Sequence, residues 1–512
     1  MINAAAVLDH HAAIRPDKIA LAWRGGEYTY AQLLERVNAV AAALAERGIR
    51  EGDHVALLMQ NTPEFIETVY AANRLGAAFL PLNFRLAPAE WRYILDHGRA
   101  AAVVTEALFE TDLTSVIEGL PIGVRLTIDR PATGAFDRYD DVVARHQGKF
   151  VAPVDVSPET LQRLMYTSGT TARPKGVCIT HSNFAWKTLG LLVQFGWNHT
   201  DITVVGGPLY HVGALDMGGI STLHVGGSLV LQKKFDADGL LALIEEYRAT
   251  NCWLAPAMVN SILQSPLLKK HDLSSLRTIL SGGEKMPEAR LRQLLEVLPD
   301  LWFADAYGLT ETLSSDTFLD RDHMVSKLGS VGLPLPHQEI RIVDDAGEAV
   351  STGTVGEITV RGPKVFSGYW RDADATAAAI RDGWFHTGDM GRRDEDGYLY
   401  VEDRKKDMLI SGGENIASPE VERVLYEHPA VLEAAVVGHP DEKWGEVPKA
   451  IVVLRTGAEA TAGELIDFCR DRLARFKVPR YVEFIDALPR TPSGKVLKRE
   501  LRLAASGEGA SR

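Results

Sequence analysis

The sequence predicts an α/β protein: a large N-terminal domain of parallel sheets with a small β-barrel-like subdomain, followed by a small, mobile α+β C-terminal domain. Three observations support this fold class. Helical and strand patterns alternate over the first half of the chain, short strands between Gly and Pro turns follow, and a compact helix–strand unit closes the sequence. At 512 residues the chain is also too long for one compact core.

The first half is predicted to consist of βαβ units. The segment TYAQLLERVNAVAAALAERGI has apolar residues at helical spacing, begins with a capping box of Thr29 and Gln32, and ends at Gly48. DHVALLM is predicted to be a strand and TPEFIETVYAANRLGA the next helix, with Thr62 as its N-cap. FLPLN and AAVVT are two further short, buried strands. Such alternation predicts a largely parallel sheet.

The second half changes character twice. From about residue 328 to 400, short segments rich in β-formers are separated by Gly, Asp-Asp and Pro turns, which predicts an antiparallel or barrel-like unit. After VEDRKKDMLISGGEN, the helix SPEVERVLYEH, the strands AAVVGHP and KAIVVLR and the helix GELIDFCRDRLAR predict a small domain with its own core. We therefore place the large domain at residues 1–405 and the small one at 406–512.

Bulk composition excludes some classes of partner. The net charge of -13 and pI near 5.7 argue against a nucleic acid or an anionic membrane surface as the main partner. The three cysteines are widely spaced and form no C-x-x-C pair, as expected of reduced thiols in a cytoplasmic protein. No apolar run is long enough to span a bilayer, so we expect no stable membrane insertion and no signal peptide.

The segment YTSGTTARPKGV, residues 166–177, has the composition of a phosphate-binding loop without the P-loop pattern. Pro174 and Gly176 replace the glycine and the magnesium-binding hydroxyl of a P-loop, and a strand-like stretch follows where a P-loop continues as a helix. Gly169 permits close backbone approach, and Lys175 supplies a cation. The hydroxyl groups come from Thr167, Ser168, Thr170 and Thr171. Taken alone, such a cluster is more often a polar surface turn.

This loop and six later segments resemble, in the same order, the motifs of the adenylate-forming superfamily. That superfamily contains acyl-CoA synthetases, the adenylation domains of peptide synthetases and beetle luciferases. The six segments are PLYHVGAL (208–215), SGGEKMP (281–287), DAYGLTET (305–312), GWFHTGD (383–389), DRKKDMLISGGEN (403–415) and PRTPSGKVLKREL (489–501). The pattern is most similar to stand-alone bacterial ligases that join fatty or aryl acids to coenzyme A.

The resemblance implies two half-reactions at one site. A carboxylate attacks the α-phosphate of ATP and releases pyrophosphate, and the thiol of coenzyme A then attacks the acyl-adenylate and releases AMP. The implied substrates and cofactors are a small carboxylic acid, ATP, Mg²⁺ and coenzyme A. The protein has to position the reactants and offset developing negative charge.

Four residues are implied to be catalytic. Lys495 would bridge the acid and the α-phosphate, and His211 would lie beside the carboxylate and gate the approach of the thiol. Thr310 would donate to the α-phosphate, and Glu311 would be the protein ligand of Mg²⁺, a cation that shares its sites with phosphate oxygens.

The resemblance also assigns the ATP site. Tyr307 would lie against the adenine ring, and Asp389 and Arg404 would hold the ribose hydroxyls. The full set implied to bind ATP is Thr167, Ser168, Gly169, Thr170, Thr171, Lys175, Gly283, Glu284, Lys285, Asp305, Tyr307, Gly308, Thr310, Asp389 and Arg404.

The acid and coenzyme A sites are implied by the same motifs. The acyl pocket would be lined by His211, Val212, Gly213, Asp216, Gly282 and Leu313. Asp216 has two readings: facing inward without a partner it would suit a polar or amino-bearing acid, and facing outward it would have no role. The backbone of Gly412 and Gly413 would line the thiol tunnel, and Lys406 would be the hinge of the mobile C-terminal domain.

The sequence departs from the family pattern at Ala172, where the phosphate loop usually has a glycine, and slower adenylation would follow if this position needs a positive φ. The sequence leaves two alternatives: transfer to a carrier-protein phosphopantetheine or another nucleophile, and a non-catalytic nucleotide-binding relative. The loop pattern excludes a third, a P-loop enzyme. A homodimer is left open. The context of Lys495 also resembles sites at which lysine acetyltransferases silence such enzymes.

Overall fold

The computed structural model describes residues 2–129, 134–167, 174–283, 286–404, 408–411, 414–441, 444–490 and 496–505. The elements up to the phosphate-loop region are α1 (Ala6–Ile14), β1 (Ile19–Trp23), β2 (Gly26–Thr29), α2 (Tyr30–Glu46), β3 (His54–Leu58), α3 (Pro63–Arg74), β4 (Ala78–Pro81), α4 (Pro88–His97), β5 (Ala100–Glu106), α5 (Ala107–Val116), β6 (Val124–Ile128), β7 (Asp137–Arg138) and α6 (Tyr139–His146). The middle of the chain forms β8 (Leu161–Thr167), β9 (Lys175–Thr180), α7 (His181–Phe195), β10 (Ile202–Val205), α8 (Val212–Ala214), α9 (Ile220–His224), β11 (Ser228–Leu231), α10 (Ala237–Tyr247), β12 (Asn251–Trp253), α11 (Pro256–Gln264), β13 (Thr278–Gly282), α12 (Glu288–Val297), β14 (Trp302–Tyr307), β15 (Thr317–Phe318) and β16 (Leu333–Pro334). The remaining elements are β17 (Glu339–Val343), β18 (Gly356–Arg361), β19 (Gly368–Tyr369), α13 (Ala373–Ala379), β20 (Ile380–Arg381), β21 (Trp384–Arg393), β22 (Leu399–Arg404), β23 (Leu409–Ser411), β24 (Glu414–Ile416), α14 (Ser418–Tyr426), β25 (Val431–Asp441), β26 (Gly445–Leu454), α15 (Ala462–Arg470), β27 (Tyr481–Phe484) and α16 (Lys498–Ala505).

The first large sheet has the strand order β16-β15-β14-β13-β12-β10-β11-β1-β2 over the described residues. Its six central strands, from β14 to β1, pair in parallel. The outer strands β2, β15 and β16 each pair antiparallel with their inner neighbour. The predicted parallel α/β architecture is confirmed.

The second large sheet has the order β19-β9-β8-β4-β3-β5-β6-β7. Strands β8 to β7 pair in parallel, and β9 turns back on β8 as an antiparallel hairpin. The last rung of this hairpin pairs Thr167 with Lys175. The two ends of the predicted phosphate loop are therefore held side by side by sheet hydrogen bonds.

The segment predicted to be an antiparallel subdomain forms a five-stranded antiparallel sheet of β17, β18, β21, β20 and β22. Two of its short strands lie elsewhere, because β16 joins the nine-stranded sheet and β19 pairs with β9. The C-terminal part has a sheet of its own, β24-β23-β26-β25 with β27 beside β26. The sequence did not predict α16, which packs Leu501 against the same core as Val437.

Of the two N-cap residues predicted for the first long helices, Thr29 makes the expected hydrogen bonds and Thr62 does not. Thr29 caps α2 as a full capping box with Gln32, as predicted. Thr62 is the N-cap residue of α3 by position, but its hydroxyl contacts the Met59 sulfur at 3.5 Å and makes no cap bond. Pro63 at the first helical position supplies the favourable start instead. Among the described residues, no helix is both long and apolar enough to cross a bilayer.

A group of buried charges lies beneath the loops that follow the parallel strands. Arg163 on β8 donates to the Asp216 carboxylate at 2.6 Å, and both side chains are fully buried. Lys187 on α7 is buried nearby, and its ammonium has no hydrogen-bond partner among the described residues. Burial lowers the pKa of Lys187 to about 7, and the negative charge of Asp216 only partly opposes this.

We expect Lys187→Met to raise the free energy of unfolding at pH 7 by about 1–4 kcal/mol, because an unpaired buried cation is replaced by an apolar chain of similar size. Between pH 7 and the ordinary lysine pKa the unfolded chain binds the proton more tightly than the folded chain does, so the stability of the wild type rises with pH over this range. Urea unfolding at pH 7 and pH 9.5 checks this. The advantage of the variant should shrink at the higher pH, and an advantage that is independent of pH would contradict the assignment.

Candidate active site

The carboxyl ends of four neighbouring parallel strands of the nine-stranded sheet meet at one cavity. The loop after β10 carries His211, β12 ends at Trp253, β13 at Gly282 and β14 at Tyr307. The space between its walls, together with the adjoining open solvent, is about 410 Å³. Its lining residues are His211, Val212, Gly213, Met217, Trp253, Gly282, Gly283, Ala306, Tyr307, Gly308, Leu309, Thr310, Ser314 and Ser315. This edge of an open α/β sheet is where ligands bind.

One wall of the cavity combines an imidazole with an indole. His211 caps the short helix α8, and its Nδ1 accepts the amide N–H of Gly213 at 3.1 Å. A neutral His211 ring therefore carries its proton on Nε2. The ring centroids of His211 and Trp253 are 6.1 Å apart. A Cβ on Gly213 would lie 2.5 Å from the Trp253 ring, so glycine is needed for the helix start to approach the indole.

Two residues predicted to line the acyl pocket do not line this cavity. Asp216 is neither an unpaired pocket carboxylate nor an outward-facing one, because it is fully buried against Arg163. The helix α8 turns into a π-type segment, Leu215–Gly219, which directs Asp216 into the protein. Leu313 packs into the main hydrophobic core. Neither predicted placement of Asp216 is correct, whereas the predicted His211, Val212, Gly213 and Gly282 line the cavity together.

The segment that carries Thr310 and Glu311 is a tight turn with unusual backbone geometry. Thr310–Thr312 forms one turn of 3₁₀ helix, and the next three residues, Leu313, Ser314 and Ser315, have φ of 51°, 59° and 51°. Three consecutive left-handed residues without a glycine are rare and strained. A Cβ on Gly308 would lie 2.3 Å from the Ser315 nitrogen, so the turn folds back directly onto Gly308.

A buried ion pair holds this turn from behind. The Lys364 ammonium donates to the Thr312 and Ser314 carbonyls at 2.7 and 2.8 Å and to the Asp316 carboxylate at 2.5 Å. Asp316 also accepts from the Thr312 hydroxyl and from Gln338. Burial raises the pKa of Asp316 and lowers that of Lys364, and their mutual attraction opposes both shifts.

The residues predicted for adenine and ribose lie together. The Tyr307 hydroxyl donates to the Asp389 carboxylate at 2.8 Å, joining the end of β14 to β21. Burial and the neighbouring Asp389 charge raise the pKa of Tyr307, so its hydroxyl keeps the proton that it donates. Asp389 pairs with Arg404 in the register of β21 and β22. The side chain of Arg404 lies outside the described part of the structure.

The cation of the phosphate loop and the predicted metal ligand share one aromatic neighbour. The Lys175 ammonium lies 4.8 Å from the centre of the Tyr369 ring. The Tyr369 hydroxyl donates to Glu311 Oε1 at 2.9 Å. Burial, and next the Glu311 charge, raise the pKa of Tyr369. Tyr369 thus contacts both a cation, Lys175, and a carboxylate, Glu311. Thr167, at the end of β8, is opposite Lys175.

Other predicted residues are placed less directly, or lie outside the described part. Asp305 is buried on β14, and its carboxylate accepts the Ala306 amide N–H at 3.1 Å. Gly283 follows β13 with φ of 93°, a conformation that glycine adopts without strain. The predicted residues outside the described ranges are Ser168, Gly169, Thr170, Thr171, Glu284, Lys285, Lys406, Gly412, Gly413 and Lys495, together with Ala172.

Sequence reasoning missed several residues of this site, including Met217, Ala306 and Leu309 of the cavity lining. Trp253, Ser314 and Ser315 line the cavity, and Tyr369 bridges the two charged groups. Ser314 and Ser315 follow the recognised segment DAYGLTET after one residue, Leu313, so extending that motif by three residues was the available signal. No comparable signal marks Trp253, since a tryptophan at the end of a buried strand is usually a core residue.

Comparisons with known proteins agree with this geometry. The profile described as AMP-binding enzyme matches residues 8–370, and the profile described as AMP-binding enzyme C-terminal domain matches residues 420–495. Feruloyl-CoA synthase of an Amycolatopsis species is 41% identical over 493 residues, which cover 96% of each chain. Indoleacetate–CoA ligase of Aromatoleum aromaticum is 39% identical over 97% of this chain and 96% of its own. The crystal structure of an anthranilate CoA ligase in complex with anthranoyl-AMP superimposes with a TM-score of 0.92 at 29% identity, covering 99% and 98% of the two chains.

The chain belongs to the family of AMP-binding enzymes. The predicted fold class and reaction class are confirmed: the protein is an AMP-forming acid–thiol ligase that uses ATP and coenzyme A and proceeds through an acyl-adenylate.

Proposed function

We propose that this enzyme joins an aromatic carboxylic acid to coenzyme A. The observation that carries the proposal is the composition of the cavity at the carboxyl ends of β10 to β14. The Trp253 indole lies beside His211 in one wall, and Thr310 is part of another wall. A flat apolar ring packs favourably against an indole. Glycines at 213, 282, 283 and 308 keep the cavity open for a planar group. Each of the three relatives described above is also named for an aromatic acid.

In the first half-reaction a carboxylate oxygen attacks the α-phosphorus, and the bond to pyrophosphate breaks. His211, fixed by the Gly213 amide, holds the carboxylate end of the acid, and Thr310 donates to the α-phosphate as its negative charge grows. Tyr307 and Asp389 hold the nucleoside side, and Lys175 approaches the outer phosphates. Lys495 adds the cation that bridges acid and phosphate. These positions supply catalysis mainly by orientation and preorganised charge.

The donor set around Glu311 fits Mg²⁺ only if phosphates complete it. Among the described residues no group of three or more His, Cys, Asp or Glu side chains could hold a metal alone. A single carboxylate is nevertheless what Mg²⁺ needs when substrate phosphates and waters fill the other positions. Glu311 would hold the ion, with Tyr369 orienting its carboxylate. Bound Mg²⁺ would offset the charge of the phosphate oxygens.

In the second half-reaction the thiol attacks the acyl carbonyl, and AMP leaves. We propose that residues 406–512 act as a mobile domain on a hinge at Lys406, which withdraws Lys495 and brings Gly412 and Gly413 to the thiol. The hinge lies between β22 and β23, next to Asp403, whose carboxylate accepts the Ser418 amide and hydroxyl. Acetylation of Lys495 would remove the bridging cation and stop the first half-reaction. A homodimer stays a prediction.

Pyrophosphate release from the purified protein with ATP and Mg²⁺, over a panel of acids, tests the proposal. The panel runs from acetate and medium-chain fatty acids to benzoates, cinnamates and indole acids, each with and without coenzyme A. We expect aromatic acids to give a kcat/KM at least tenfold above aliphatic ones, because the ring packs on Trp253. Release should quicken with coenzyme A, and Lys495→Ala should abolish it.

Other outcomes point to the alternatives. Fatty acids as the best substrates would contradict the aromatic assignment. Release that ignores coenzyme A, but quickens with a loaded carrier protein or an amine, would assign the acyl group to that acceptor. Nucleotide binding without release for any acid would favour a non-catalytic relative.

A further inference from the structure

We infer that Trp253, Ser314 and Ser315 form a polar subsite that selects aromatic acids bearing a ring hydroxyl. This inference rests on the proposed function and narrows its substrate class. The three residues line the same cavity. Their polar side-chain atoms, Trp253 Nε1 and the two serine hydroxyls, are buried and have no hydrogen-bond partner among the described residues.

Unpaired buried polar atoms are uncommon, and each costs free energy unless a ligand supplies the partner. Two hydroxyls outside the cavity are satisfied, whereas that of Ser281, next to the cavity residue Gly282, is also buried and unpaired. The Thr312 hydroxyl donates to Asp316, and the Ser330 hydroxyl donates to the Leu399 carbonyl at 2.8 Å. Three unpaired side-chain atoms therefore belong to residues that line the cavity, where an acid could supply the partner.

The backbone at Ser314 and Ser315 argues that these side chains serve a purpose. Both residues have a positive φ, which glycine would adopt without strain and which costs a residue with a Cβ on the order of 1 kcal/mol. The turn is held in this conformation by Lys364 and by the bond from the Ser314 amide to the Leu309 carbonyl at 2.7 Å. Two side chains are thus kept, at a cost, where the fold would accept glycine more easily.

The chemistry of the three groups restricts the ligand. An indole N–H only donates, so the substituent needs an acceptor, and serine hydroxyls both donate and accept. A phenolic hydroxyl meets both requirements, because it accepts from Trp253 and donates to a serine. An unsubstituted ring leaves all three atoms unpaired in a closed site. Sites built to bond a substrate hydroxyl discriminate strongly against the analogue that lacks it.

The test compares matched acids on the wild type and on three variants, Ser314→Ala, Ser315→Ala and Trp253→Phe. The pairs are cinnamate with 4-hydroxycinnamate, and benzoate with 3- and 4-hydroxybenzoate. For the wild type we expect kcat/KM of pyrophosphate release to favour at least one hydroxylated acid by tenfold or more. At least one variant should reduce that ratio at least fivefold.

Ser275→Ala is the matched control, because the Ser275 hydroxyl is also buried and unpaired but lies outside the cavity. It should leave the ratio unchanged. Thermal melting separates a misfolded variant from an altered preference, and calorimetric binding of each acid with AMP present gives a readout without turnover.

A wild-type ratio near one in both turnover and binding overturns the subsite, while aromatic activity with coenzyme A leaves the proposed function standing. A ratio that none of the three variants changes also overturns it. If only aliphatic acids are activated, the proposed function fails first, and the subsite fails with it.

Discussion

Lys364→Met is expected to lower the free energy of unfolding by about 3–5 kcal/mol and to reduce kcat/KM for acid activation at least tenfold. Removing the ammonium leaves the buried Asp316 carboxylate without its ion pair and leaves the Thr312 and Ser314 carbonyls without their donor. The strained turn would then relax, and Thr310 and Glu311 lie within the same turn. Chemical unfolding and pyrophosphate release measure the two effects.

Two further variants test the cause of this loss. The double variant Lys364→Met/Asp316→Leu replaces both charges by apolar groups and should recover part of the stability, because no unpaired buried charge remains. Activity should stay low, since the turn still lacks the hydrogen bonds that the Lys364 ammonium donates to its carbonyls. Lys327→Met is the matched control: Lys327 also pairs with aspartate, but its partners Asp394 and Asp396 are in contact with solvent, and we expect a much smaller loss of stability than for Lys364→Met. Equal losses for Lys364 and Lys327 would contradict the role of burial.

Glu311→Gln is expected to reduce pyrophosphate release on the order of 100-fold. The amide keeps the shape of the side chain and can still accept from Tyr369, but it cannot offset the charge of Mg²⁺. Titration of Mg²⁺ should show that the variant needs a higher concentration to reach half its maximal rate. Calorimetry should show weaker binding of ATP in the presence of Mg²⁺, with binding of AMP alone nearly unchanged.

Glu339→Gln is the control for Glu311, because Glu339 forms an exposed pair with Arg361 on the antiparallel sheet. It should leave the Mg²⁺ dependence as in the wild type. A Glu311→Gln variant with wild-type Mg²⁺ dependence would remove Glu311 from the metal site and leave Tyr369 without its role of orienting a metal ligand.

The contacts that the sequence predicted correctly are those between residues a few positions apart in the chain. The capping box of Thr29 and Gln32 needs only a spacing of three, and His211 and Gly213 are close in the same motif. The sequence could not predict contacts between distant residues. Arg163 and Asp216 are 53 positions apart, so the sequence offered only an unpaired or an outward carboxylate, and both readings were wrong.

The same limit explains why the sequence did not predict the contacts that Lys364 and Tyr369 make at the site. Lys364 reaches the Thr312 carbonyl across 52 positions, and Tyr369 reaches Glu311 across 58. The sequence around Lys364 and Tyr369 does not indicate that either side chain is buried or which residue it contacts. Only the pairing of β19 with β9 and the folding of the turn bring them to the site.

The two large sheets contribute different parts of the active site. Every residue that lines the acid cavity follows or ends a strand of the nine-stranded sheet, whereas Thr167 and Lys175 belong to a hairpin of the eight-stranded sheet. The wall beside the acid and the hairpin beside the outer phosphates are therefore carried by different sheets. Substitutions at Val212, Gly213 or Trp253 can change which acid fits the cavity without altering the hairpin that carries Thr167 and Lys175.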